Sequence, residues 1–146
     1  MIIETRGLGF VEISEKDILH FSDGIYGFEH IKDYVILKDK DDDNFLWLQS
    51  AKSKSPCFVL LNPYLIVGDY RPCLTNSIIK HLKADYDKLS FFVIAVVPED
   101  FKEMTVNLKS PIVVNFSDQV AMQVILENQD YPVRYKVFEN IGKAGY

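Results

Sequence analysis

The longest uninterrupted apolar run in this sequence, Phe91 to Val97, has only seven residues. A helix that crosses a membrane needs about 20 apolar residues, so a run of this length is typical of a buried strand instead. The other apolar runs are shorter, are rich in β-branched and aromatic residues, and are separated by turn-forming residues. They are Tyr34–Leu37, Phe45–Leu48, Phe58–Leu61 and Ala121–Leu126. The chain is therefore predicted to be mainly β, with Trp47 in the core.

Turn signals indicate how these strands are joined. Residues 38–44 are polar and rich in aspartate, which favours a hairpin loop. Pro98 ends the longest apolar run, and Pro111 interrupts the segment 104–116, where an edge strand or a bend would tolerate a proline. Many short strands joined by turns predict a β-sandwich or a small closed barrel, because closure removes exposed strand edges.

Helix is scarce in this sequence. One helix is predicted from about Ser77 to Ala84, with Thr75 or Asn76 as its N-cap, and a second short turn is expected at Gly27–Ile31. A length of 146 residues suits one domain. The predicted fold is thus a small single-domain β-barrel-like fold, over residues 1–146, with one or two short helices.

The net charge indicates which partners the protein can bind, and the N-terminal residues and the cysteines indicate its cellular compartment. The net charge is −5, which disfavours a protein that binds nucleic acid directly, since that affinity comes largely from Lys and Arg. Met1–Thr5 lacks the basic start of a signal peptide, so a cytoplasmic protein without membrane contact is expected. Cys57 and Cys73 have no CxxC partner and are predicted to be reduced, mostly buried thiols, although their separation in space is open.

No pattern in the sequence indicates catalysis or a cofactor. The segment Gly7–Gly9 begins like a dinucleotide fingerprint, but Glu12 stands where the third glycine belongs. The aspartates of residues 39–43 alternate like calcium ligands, yet the glycine and the distal glutamate of an EF-hand loop are missing. The three histidines have no zinc-ligand spacing; they are His20, His30 and His81. The residues alone therefore supply no catalytic constellation, and no cofactor or metal site is predicted.

Several segments follow one another in the order of a known family. The most specific is Met104–Ile112, and the match runs from Met1 to about Arg134. The other segments are Met1–Thr5, Phe21–Glu29, Trp47–Ser50, Asn62–Tyr64, Asp69–Tyr70, Val97–Asp100, Asn128 and Tyr131–Arg134. Together they resemble the bacterial flagellar assembly factor FliW family. Ser22 departs from the proline that is common in the family, and the tail after about residue 135 carries little of the pattern.

The resemblance implies a non-enzymatic cytoplasmic protein with a small β-barrel-like fold and two protein partners. These partners are flagellin and CsrA, an RNA-binding repressor of flagellin translation. The resemblance implies that flagellin occupies the protein until export removes it, and that the freed protein then antagonises CsrA. Flagellin translation would thereby be coupled to flagellin export by mass action. The alternative is a small β-barrel ligand-binding protein or enzyme with a site in the barrel mouth.

Two candidate surfaces for partner binding follow from the residues and the resemblance. The first contains Met104, Thr105, Asn107 and Lys109, in a segment of alternating apolar and polar residues. The alternative for this segment is that its apolar residues, Met104, Val106 and Leu108, point into the barrel. Changing Thr105, Asn107 and Lys109 together is expected to weaken partner binding at a nearly unchanged thermal midpoint.

The second candidate surface contains Asn62, Tyr64 and Tyr70, where prolines and a glycine redirect the chain and tyrosines could serve as exposed anchors. The alternative is that both tyrosines cap the barrel mouth. Which surface binds which partner, whether the two sites overlap, the affinities and the oligomeric state remain open at this stage.

Overall fold

The computed structural model describes residues 1–42 and 44–138 of the 146, so Asp43 and the tail 139–146 lie outside the described residues. The described residues form eleven strands and one α-helix: β1 (Ile2–Glu4), β2 (Phe10–Glu12), β3 (Leu19–Phe21), β4 (Asp33–Lys38), β5 (Leu46–Ser50), β6 (Cys57–Leu61), α1 (Asn76–Leu82), β7 (Ser90–Val96), β8 (Thr105–Val106), β9 (Ile112–Asn115), β10 (Val120–Gln123) and β11 (Tyr135–Lys136). Short 3-10 helices cover Glu15–Asp17, Pro63–Leu65, Tyr86–Lys88 and Phe101–Glu103. The mainly β prediction is confirmed.

Seven of the strands close into a barrel, in the order β3, β4, β5, β6, β7, β9 and β10. The ring closes where β10 runs parallel to β3, with Val120 opposite His20; the other neighbours in the ring are antiparallel. Of the two architectures that the sequence left open, the protein adopts the closed barrel.

Strand β7 pairs with both β8 and β9, and Pro111 lies in the segment that joins these two strands. The first half of β7, Ser90–Phe92, pairs with β9, whereas Ala95 and Val96 near its end pair with β8. Strand β8 ends at Val106 and β9 begins at Ile112, directly after Pro111, which cannot donate a ladder hydrogen bond. Strand β11 then extends the sheet beyond β8. The segment 104–116 is therefore two strands that belong to different parts of the sheet.

Large side chains fill one end of the barrel interior. Phe21 and Tyr34 are fully buried, and their rings meet edge to face with centroids 5.1 Å apart. Burial raises the pKa of the Tyr34 hydroxyl to about 12. Aliphatic side chains complete this cluster; they are Leu19, Ile25, Leu48, Leu60, Ile112, Val114 and Ala121. This packing leaves little room for a ligand at this end and so weighs against the alternative of a ligand site in the barrel mouth.

The helix prediction is close to the observed element. Helix α1 has Thr75 as its N-cap, whose Oγ1 accepts a hydrogen bond from the Ile78 amide at 3.2 Å. It ends two residues earlier than predicted, because Lys83 adopts the left-handed conformation with φ 60°. Residues 27–31 form turns beside a bridge between Ile25 and Phe28, and no helix. None of the helices in the described part of the chain is long and apolar enough to cross a membrane.

The β1–β2 hairpin lies against the outside of the barrel. Ile3 on its inner face packs in a cluster with Val35 of β4. At its tip, the Arg6 amide donates a hydrogen bond to Oε1 of Gln49 at 3.0 Å, and Gly7 lies against the ring of Trp47. Trp47 is therefore half-buried under the hairpin turn, and the prediction that it belongs to the core is wrong.

Both cysteines are free. Cys57 is half-buried, and its burial raises the thiol pKa to about 11. Cys73 is exposed, so the prediction of two mostly buried thiols is wrong for this residue. Its position explains the exposure, because it lies in the irregular segment before α1 and outside the barrel strands.

Candidate partner-binding surfaces

A buried tyrosine joins the two surfaces that the sequence predicts. Tyr70 is only 2% exposed, and its hydroxyl donates a hydrogen bond to the carbonyl oxygen of Leu108 at 2.7 Å. Its ring lies 4.7 Å from the Tyr131 ring and 6.1 Å from the Tyr64 ring. Burial accordingly raises the pKa of Tyr70. The prediction that Tyr70 is an exposed anchor is wrong, because this side chain holds the segment 62–71 against the segment 104–109.

The segment 104–109 alternates as predicted, but its apolar side chains point inward. Met104 is 2% exposed, and Val106 and Leu108 are equally buried. The pairing of Val106 with Ala95 of β7 sets this orientation, since successive side chains of a strand point to opposite faces. The expectation that Met104 lies on the surface is wrong, and the alternative orientation for this segment is the observed one.

The polar residues of the same segment are half-buried and support neighbouring loops. Oδ1 of Asn107 accepts a hydrogen bond from the Ser110 amide at 3.0 Å, and Nζ of Lys109 donates one to the Gln129 carbonyl at 2.6 Å. Thr105 faces Lys136 of β11 in the sheet. Replacing all three residues would remove these hydrogen bonds, so the unchanged thermal midpoint expected from the sequence does not follow from the observed contacts. Their role in partner binding stays a prediction.

An apolar groove brings together parts of both predicted surfaces. It has a volume of about 160 Å³ and is lined mainly by Leu61, Asn62, Leu65, Ile66, Met104 and Phe138. Met104 contributes to its lining despite being buried, and Leu65 is 55% exposed. The exposed ring of Phe138 meets that of Phe101 edge to face, with centroids 5.3 Å apart. This apolar groove therefore presents aliphatic and aromatic side chains to solvent.

Asn62 positions one wall of the apolar groove. Its side-chain oxygen accepts a hydrogen bond from the Tyr64 amide at 3.0 Å, which caps the 3-10 helix that begins at Pro63. Pro63 is buried at the first position of this helix, where its fixed φ is well suited. The short helix turns Tyr64 and Leu65 toward solvent, with Tyr64 40% exposed. Asn62 thus orients the exposed residues of the groove.

Sequence reasoning missed Leu65 and Phe138. The Asn62-Pro63 pair signals the start of a short helix, so it could have indicated that the next residues turn outward. Nothing in the sequence could have placed Phe138 beside them, because this contact depends on the path of the chain after β11.

A second depression, of about 850 Å³, is lined in part by Asn62 and Tyr64. The guanidinium of Arg71 stacks over the Tyr86 ring, 4.5 Å from its centroid, and forms no ion pair with the described residues. Asp85 and Asp87 also line it. Burial raises the pKa of Tyr64, and the positive charge of Arg71 acts in the opposite direction.

These surfaces offer apolar area, a cation and hydrogen-bonding groups for non-covalent contacts. Residues 1–42 and 44–138 contain no group of three His, Cys, Asp or Glu side chains that could hold a metal ion. What the arrangement supports best is the binding of another macromolecule.

Replacing Tyr70 by phenylalanine is expected to lower the free energy of unfolding by about 1–3 kcal/mol, because the buried Leu108 carbonyl loses its donor. The matched control is Tyr64→Phe, since the Tyr64 hydroxyl forms no hydrogen bond with any described residue. Urea unfolding of the two variants measures the difference. Equal stabilities would contradict the structural role assigned to Tyr70.

Comparisons with known proteins extend over almost the whole chain. The family model described as FliW protein matches residues 2–137. The flagellar assembly factor FliW of Caldicellulosiruptor saccharolyticus is 39% identical over 141 residues, which cover 96% of this chain and 92% of that protein. The flagellar assembly factor FliW of Bdellovibrio bacteriovorus is 36% identical, over 97% of this chain and 81% of that protein. A crystal structure of the flagellar assembly factor FliW has a TM-score of 0.89 and 33% identity, covering 94% of this chain and 97% of that chain.

Proposed function

Because this chain belongs to the FliW family of flagellar assembly factors, we propose that it binds two proteins, flagellin and the RNA-binding translational repressor CsrA. The protein acts in the cytoplasm and without catalysis. Flagellin occupies it until export lowers the flagellin concentration, and the freed protein then binds CsrA and relieves repression of the flagellin message. Two competing binding equilibria are sufficient for this switch, since each partner shifts the population of free protein by mass action.

The observation that carries this proposal is the apolar groove. Its exposed members, Leu65 and Phe138, flank a space of about 160 Å³ above the buried Met104. Grooves of this kind take the apolar face of an amphipathic helix, which inserts side chains at helical spacing. We place a helical segment of flagellin here, with Leu65 as the main aliphatic contact.

In this proposal, polar and amphipathic residues next to the groove form the edge of the interface with flagellin. Tyr64 is amphipathic and 40% exposed, and together with the groove residue Asn62 it lines the neighbouring depression. Residues of this kind are enriched where interfaces contain both apolar and polar contacts. Thr105, Asn107 and Lys109 continue from Met104 along the same segment and, in this proposal, contact the polar side of the bound partner.

Isothermal titration of the purified protein with flagellin, and separately with CsrA, tests the proposal directly. Both partners come from the same organism as this chain, and circular dichroism establishes beforehand that each is folded. Saturable binding of each partner is the expected result. If neither folded partner binds, the proposed function is wrong and the family relationship extends to the fold alone.

A further inference from the structure

The outer face of the β1–β2 hairpin is a regular pattern of exposed apolar and acidic side chains. Ile2 is 71% and Phe10 is 74% exposed, although both lie within strands. Glu12 lies opposite Ile2, and Glu4 lies opposite Phe10. The two apolar side chains therefore occupy one diagonal of this face and the two carboxylates occupy the other.

The hairpin holds these four side chains on an ordered backbone. Hydrogen bonds at both ends close the ladder, from the Ile13 amide to the Met1 carbonyl at 2.7 Å and from the Thr5 amide to the Gly9 carbonyl at 2.8 Å. The Leu8 amide donates to Oγ1 of Thr5 at 2.9 Å, which fixes the turn. Such an ordered face loses little conformational entropy when a partner binds, which favours affinity.

The apolar side chains on the outer face of the hairpin do not take part in packing the hairpin against the barrel. Ile3 and Val11 on the opposite face already join the cluster that attaches the hairpin to β4. Ile2 and Phe10 stay in solvent. Neither Glu4 nor Glu12 forms an ion pair with the part of the chain that the structure describes. An ordered face with two exposed apolar side chains and two uncompensated carboxylates is suited to a partner with the opposite charge.

We propose that this outer face binds a surface of the CsrA-type regulator that carries Lys or Arg among apolar side chains. This inference rests on the proposed function and assigns one of its two partners to a surface. The carboxylates of Glu4 and Glu12 pair with the cations, whose apolar stems lie along Ile2 and Phe10. An RNA-binding protein has the positive charge that this face requires of its partner, because such proteins concentrate Lys and Arg on their surface.

Charge distinguishes this occupant from two others. Nucleic acid would place its phosphates beside Glu4 and Glu12, where like charges repel. A second copy of this chain would bring four carboxylates into one interface, since each copy contributes the same two. A basic protein surface is the occupant that compensates both charges of the hairpin.

Titration with CsrA tests this assignment in two hairpin variants. One carries Glu4→Lys together with Glu12→Lys, and the other carries Phe10→Ala. The control carries Glu127→Lys together with Asp130→Lys, which makes the same change in charge at exposed positions away from the hairpin. We expect each hairpin variant to bind CsrA about tenfold more weakly or worse, whereas the control binds like the wild type. Flagellin affinity and the thermal midpoint are expected to stay unchanged in both hairpin variants.

Three results would overturn the assignment. If the wild type binds CsrA and the hairpin variants bind it equally well, the regulator uses another surface, while the proposed function stands. If the wild type does not bind CsrA, the proposed function fails for this partner and the assignment fails with it. If light scattering shows that the wild type is a dimer and that Phe10→Ala makes it a monomer, a second copy covers the face.

Discussion

Replacing Gly24 by alanine is expected to lower the free energy of unfolding by about 2–5 kcal/mol. Gly24 has φ 68°, a left-handed conformation that costs side-chain-bearing residues about 1–2 kcal/mol. A Cβ atom would also lie only 2.6 Å from the Cα and carbonyl oxygen of Glu29, so the backbone of one turn must move. The adjacent Ile25 is buried in the barrel cluster, which carries the disturbance into the core.

Gly27 provides the matched control for the Gly24 variant. It also has positive φ, of 90°, but nothing lies within 4 Å of the position that its Cβ would take. Gly27→Ala should therefore cost only the conformational term of about 1–2 kcal/mol. Chemical unfolding of both variants separates the steric contribution from the conformational one. Equal losses for the two variants would contradict the close contact between Gly24 and Glu29.

Replacing Leu65 by glutamate is expected to weaken flagellin binding by about 30-fold or more, the effect of losing a central interface contact of at least about 2 kcal/mol. Leu65 lies at the apolar groove and is 55% exposed, so the fold tolerates the change, while a bound helix would have to bury the new charge. Titration of flagellin into the variant measures the loss.

Ile125→Glu is the control for the groove variant, because Ile125 is also apolar and exposed but lies outside the apolar groove. It introduces the same charge at a different place on the surface. We expect it to bind flagellin like the wild type, and both variants to keep the wild-type thermal midpoint. A Leu65→Glu variant with full flagellin affinity would remove the groove from the proposed interface.

The strands of the barrel could be predicted from the sequence because each leaves a local pattern. Residues 34–37 and 91–97 are apolar runs bounded by turn residues; the first lies within β4, and all of the second except Val97 lies within β7. Thr75 was recognisable as an N-cap for the same reason, since its hydrogen bond spans only three residues. Strand β11 could not be found, because two residues, Tyr135 and Lys136, are too short to show a period.

The site was harder to predict, because alternation shows which residues share a face and not which face is buried. Met104 and Trp47 illustrate the two errors. The register between β7 and β8 turns Met104 inward, and Trp47 points away from the barrel interior and is covered by a hairpin from a distant part of the chain. Tyr70 was misplaced because its hydrogen bond to Leu108 joins residues that are far apart in sequence. Each of these positions is set by tertiary contacts.

The two proposed surfaces border the same loop of the barrel. Asn44, at the end of the β4–β5 loop, lines the apolar groove. At the other end of this loop, Asp39 accepts a hydrogen bond from Nε1 of Trp47 at 3.4 Å, and Trp47 contacts Gly7 in the hairpin turn. A typical partner covers about 800 Å² of surface. Because both surfaces border this loop, we expect a partner of that size on one surface to exclude the other partner.

Titration of CsrA into the protein, first alone and then saturated with flagellin, tests directly whether one small barrel exchanges two partners. We expect saturable binding to the free protein and a loss of apparent affinity that grows with the concentration of flagellin, as competition requires. The reverse titration should show the same dependence on CsrA. Unchanged CsrA affinity in the presence of saturating flagellin would show that both partners bind at once, and would contradict the proposed switch.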